Sequence, residues 1–245
     1  METGRILAEN GYFEFYGEND NLPVDAEWWQ NESKEVYEYV SKRLDSTIPD
    51  RLAVIFVSPQ SRIYAPRGTT FFEQQPIIVI YADQETGKKQ ISAVFAHELG
   101  HVLVHQKYQN LNDLILDEGM ATWAAGLYWD EWQGADFDSA VRSFITDKTY
   151  LPLTENYYLD KAYDNNSPNC LIHRDILLTE TASFLDYLIR QYGIDRLSKL
   201  MNTKKPEFQN GQKSYYYPSD FLDVYNLEFN QLEYEWLKTL FQSIQ

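Results

Sequence analysis

Apolar residues recur at two different spacings along the chain, and the change comes near Gly87. Before it, short apolar runs predominate. Arg5–Ala8 and Tyr12–Tyr16 flank Asn10-Gly11, a pair that favours a tight turn, so a hairpin is predicted. Asp25 is placed to cap a helix running to about Leu44, within which Trp28, Trp29, Val36, Tyr39, Val40 and Leu44 fall near helical spacing. Leu52–Val57, bounded by Pro49 and Pro59, and the β-branched run Pro76–Ala82 predict strands. Residues 60–75 contain Pro66 and Gly68 and predict a loop or an irregular strand.

Beyond Gly87 the spacing is helical. Helices are predicted over 88–107, 112–129 and 137–147. A long one over 171–192 ends at Gly193, the residue type that stops helices, and shorter ones follow over 194–202, 218–226 and 229–244. Residues 149–170, with Pro152 and Pro168, read as mostly loop. A first third that is α/β and a remainder that is mainly helical predict an α+β fold. The whole of 1–245 is expected to be one domain, with an N-terminal α/β lobe of about 1–108 and a C-terminal helical lobe of about 109–245.

The helix over 88–107 carries His97-Glu98-Leu99-Gly100-His101. Residues four apart on a helix differ by roughly 40° in azimuth and roughly 6 Å in rise, so both imidazoles can point at one ion. Glu98 lies beside them, within reach of a proton on a water at that ion. Ile91, Phe95, Leu99 and Val102 fall on another face and form a core stripe. A catalytic zinc takes three protein ligands and keeps one position open. Glu118, in Leu116–Trp123 on the next predicted helix, is the candidate third ligand. The two helices are expected to run antiparallel through a short loop, Asn110 to Asp113, with Gly119, Ala121, Ala124 and Ala125 allowing close approach. His105, one turn beyond His101, is too far along to join the same ion and reads as a cleft-wall or surface histidine.

Composition narrows the function classes. The net charge of −16 disfavours a nucleic-acid or an anionic-membrane partner. Cys170 is the single cysteine, so neither an internal disulfide nor a thiolate zinc site is expected. No run of about 18 apolar residues predicts a membrane span. Met1–Arg5 lacks the features of a signal peptide, which fits a cytoplasmic protein or a secreted one without its leader.

His97–His101 followed by Asp117-Glu-Gly-Met-Ala-Thr-Trp123 resembles the gluzincin metallopeptidases, and among them the peptidase MA-like domain proteins. The likeness spans roughly 50–243. It is strong at 94–124, and it continues in Glu180–Gly193 and in Leu232–Leu240 with Trp236. The resemblance implies a thermolysin-like zincin fold with zinc between two lobes, held by His97, His101 and Glu118, and Glu98 as general base. It also implies a mixed sheet whose edge strand lines the cleft, expected at Ile77–Tyr81. Thr122 stands where better-known gluzincins have an Asp or Asn that orients a histidine; Asp117 is the alternative for that role.

The expected activity is zinc-dependent hydrolysis of peptide or protein substrates. Another amide or ester would suit the same chemistry. Endopeptidase action is favoured over aminopeptidase action, because no acidic signature for an α-amino group is evident. The polar, Tyr-rich stretch 130–170 is the expected cap, and His173, Tyr157, Tyr158 and Tyr163 are candidates to stabilise an oxyanion. The competing class is a zinc-bearing binding or scaffold protein, or a latent peptidase.

Overall fold

The structure, a computed structural model, describes residues 5–18, 22–59, 66–72, 74–108, 113–154, 169–203 and 218–242. It is α+β, with five strands and eight helices among the described residues. The chain folds as two compact units, Met1–Lys107 with Ala124–Gly134, and Tyr108–Trp123 with Ala135–Gln245.

The first unit holds the sheet. Its strands are β1 (Ala8–Glu9), β2 (Phe13–Gly17), β3 (Leu52–Val57), β4 (Gly68–Phe71) and β5 (Ile77–Tyr81), in spatial order β1-β2-β3-β5-β4. Strands β2, β3 and β5 are parallel, while β1 and β4 pair antiparallel at the two edges. The β1–β2 hairpin forms at Asn10-Gly11, where Asn10 Oδ1 accepts from the backbone N–H groups of Tyr12 and Phe13. A parallel neighbour for β2 requires a crossover, and α1 (Ala26–Leu44) supplies it. Asp25 caps that helix by accepting from Trp28 N at 2.9 Å. Its buried face is Trp29, Ser33, Val36, Tyr37, Val40 and Leu44.

Ile77–Tyr81 is not the edge strand that was expected. It is β5, paired with β3 on one side and β4 on the other, with Ile78, Val79 and Ile80 buried in succession. A continuous β-branched run marks a strand covered on both faces, which belongs inside a sheet. The edge is β4, a short, half-exposed Gly-Thr-Thr-Phe segment, as edge strands tend to be.

Helix α2 (Lys88–Lys107) carries the histidine pair and is buried at every residue from Ile91 to Val104. Phe95 anchors it, with its ring centroid 5.1 Å from that of Phe13 and 5.2 Å from that of Trp29. Burying such an aromatic side chain is worth about 2–3 kcal/mol. The Lys107 ammonium closes the last turn by donating to Leu44 O at 2.7 Å. Helix α3 (Leu114–Gln133) runs through both units and kinks at Gly126, where φ is 39° and ψ is −109°. A Cβ there would collide with the Tyr39 hydroxyl, which instead accepts from Leu127 N at 2.9 Å.

The second unit is helical beyond α3: α4 (Phe137–Thr146), α5 (Cys170–Tyr192), α6 (Ile194–Met201), α7 (Pro218–Tyr225) and α8 (Phe229–Gln242). Phe184 of α5 gathers Phe221, Phe229 and Trp236 into an aromatic core. Gly119 lets α3 approach α5 closely, because a Cβ there would sit 2.8 Å from Leu185 Cδ1. Two buried carboxylates hold the chain after α4: Glu180 accepts from Leu151 N, and Glu233 accepts from Leu153 N and the Tyr150 hydroxyl. No helix among the described residues is long and apolar enough to cross a membrane.

Candidate metal centre

His97 and His101 sit one turn apart on α2, and both are buried. Their rings are perpendicular, with the two Nε2 atoms facing each other at 3.1 Å. Two neutral imidazoles can share one N–H at this distance. Alternatively, both can turn lone pairs toward a single cation. Two nitrogens bound to a tetrahedral ion at 2.0–2.1 Å are separated by roughly 3.3 Å, so the pair needs almost no movement to become ligands. Trp129, on the part of α3 in the same unit, lies beside His97 with centroids 5.8 Å apart. That indole is almost fully buried and fixes one wall of the imidazole.

Glu98 is buried as well, at 5% exposure, and its carboxylate is turned to the edge strand. Thr70 Oγ1 donates to Glu98 Oε2 at 2.8 Å and lies 3.1 Å from the Glu98 carbonyl oxygen. The Gly68 backbone comes closer still: a Cβ at Gly68 would stand 2.6 Å from Glu98 Oε1 and 2.7 Å from Val94 Cγ1. The edge strand therefore seats the carboxylate through one missing side chain and one hydroxyl. Neither Thr70 nor Trp129 is marked by any motif in the sequence, and Gly68 reads there only as part of a loop or an irregular strand over 60–75.

The second unit carries Glu118 in the first turns of α3, half-buried, between the buried Asp117 and Gly119. The start of that helix is held by Asp113, whose Oδ1 accepts from Leu116 N at 3.2 Å. Two groups of described side chains could hold a metal ion, each offering donor atoms within 4.8 Å of one another. One is His97, His101 and Glu118; the other is His101, His105 and Asp117. His105 is thus absent from the first group, and its ring packs on Phe72 at 4.3 Å. Thr122 is fully buried on α3. His173 lies in the first turn of α5, while Tyr157, Tyr158 and Tyr163 lie outside the described residues.

No protein-family model matches this chain, and no curated protein matches it.

Proposed function

We propose that the chain is a zinc-dependent metallopeptidase of gluzincin type, with His97, His101 and Glu118 as zinc ligands and Glu98 as general base. The observation that carries this reading is the facing pair of Nε2 atoms 3.1 Å apart, with a buried carboxylate on the next residue of the same helix. Two imidazoles and one carboxylate are donors that suit zinc, and three protein ligands are the number a catalytic site uses. A bound zinc would supply Lewis acidity and bring the pKa of a water down to about 7.

The rest of the chemistry falls to the chain. Glu98 accepts a proton from the attacking water and delivers it to the departing nitrogen. Its burial on α2, with Thr70 donating to Oε2, keeps the carboxylate turned to the edge strand. His97 keeps its orientation against Trp129, so the geometry is set before substrate arrives. The substrate is a peptide or protein, and endopeptidase action is favoured.

The test is exposure of a diverse peptide mixture to zinc-loaded protein, with Glu98→Ala beside it. Cuts by the wild type and none by the variant support the peptidase. A zinc-bound wild type that leaves every peptide intact favours a binding or scaffold role instead.

A further inference from the structure

A general base must hold one rotamer, because a carboxylate that swings loses proton-transfer geometry. Glu98 lies on a helix whose own backbone cannot fix χ2 and χ3 of a side chain this long. Strand β4 supplies a constraint on them here. Gly68 and Thr70 are two residues apart on that strand, so both face the same side of the sheet. One of them gives the carboxylate space, and the other gives it a hydrogen bond. The hydroxyl holds Oε2 in particular, and thereby sets the rotation of the whole group. At 2.8 Å this contact has the ordinary length of an O–H···O hydrogen bond.

We infer that Thr70 is the positioning residue for Glu98: its hydroxyl tethers the carboxylate, and Gly68 leaves the space in which the tethered rotamer fits. This rests on the peptidase reading, and it adds a residue of the edge strand to the reaction through an α2 side chain. Thr70 acts on the reaction only through the Glu98 carboxylate. Valine at position 70 keeps the shape and β propensity of threonine while removing the donor, so the strand should survive the change.

The experiment has two arms. In the first, peptides that the zinc-loaded wild type cuts are used to measure Thr70→Val and Thr70→Ser. Thr70→Val is expected to lower kcat about tenfold to a hundredfold, leaving KM within about twofold and zinc content unchanged; Thr70→Ser restores most of the rate. A merely structural role would not spare KM and would not be rescued by serine. In the second arm, urea unfolding is followed for wild type, Thr70→Val, Glu98→Ala and the double variant, with no substrate present. Coupling is expected: Thr70→Val lowers the midpoint by more in the wild type than when Glu98 is already alanine, where only the carbonyl of residue 98 is left to the hydroxyl. Additive shifts, or an unchanged kcat in Thr70→Val, overturn the inference. If Glu98→Ala still cuts peptides, the peptidase reading fails while the unfolding cycle still judges the tether. If Glu98→Ala is silent and Thr70→Val is fully active, the peptidase reading stands and only the tether fails.

Discussion

The Nε2 atoms of His97 and His101 face each other across 3.1 Å, one helical turn apart on a helix buried from Ile91 to Val104. Such a pair is costly to bury unless its nitrogens have partners. Substituting either by alanine should lower zinc affinity at least a hundredfold, measured by competition with a chromophoric chelator. His105→Ala should leave it nearly unchanged, since His105 belongs only to the alternative group with His101 and Asp117. Loss of affinity in His105→Ala with none in His97→Ala would place the ion in that second group, since His101 is common to both.

Glu118→Gln keeps the size of the side chain and removes its charge. In the proposed centre it should weaken zinc binding about tenfold or more, whereas Asp117→Asn should have the smaller effect. Equal losses in the two variants would count against Glu118 as the ligand.

Gly126 permits the kink in α3. An alanine there would have to adopt φ of 39° and ψ of −109° and would press on the Tyr39 hydroxyl. The strain alone is of order 1–3 kcal/mol. Gly126→Ala should therefore lower Tm by several degrees in a calorimetric scan. An unchanged Tm would mean that the helix straightens at no cost.

Glu180 makes stability depend on pH. Its complete burial raises the carboxyl well above the ordinary value of 4.5; the Leu151 N–H pulls it back, and the Glu233 charge adds to the rise. Among the described residues its Oε2 has no hydrogen-bond partner. The folded state thus holds the proton more tightly than the unfolded state. This contribution to stability is fully present below about pH 4.5 and is lost as pH rises through the raised folded value. Glu180→Gln mimics the protonated form, so urea unfolding from about pH 5 to about pH 8 should show a shallower fall in stability than the wild type. Parallel curves would refute this assignment.

The parts of the fold that could be read from sequence were those set by local rules. Asp25 caps α1, Asn10-Gly11 turns the first hairpin and Gly193 stops α5, because each acts through its own neighbouring backbone. The juxtaposition of His97 and His101 was legible for the same reason, since helix geometry alone places residues four apart together. The sheet order was not. Gly68–Phe71 has no apolar alternation, and it becomes a strand only by pairing with β5. Nor was the kink at Gly126 visible, because Ala-Ala-Gly-Leu-Tyr-Trp continues the helical pattern and the opposing Tyr39 lies far away in sequence. Thr70 and Trp129 escaped notice likewise: their importance comes from a neighbour that the chain brings in from elsewhere.

In the proposed mechanism Glu98 acts on substrate at a zinc that it does not itself bind. Zinc per chain and cleavage of the peptide mixture, measured on one preparation of Glu98→Ala and one of wild type, test this most directly. About one zinc is expected in both proteins, with peptide cuts only by the wild type. Equal cutting by the two proteins, or loss of zinc from Glu98→Ala, would contradict it.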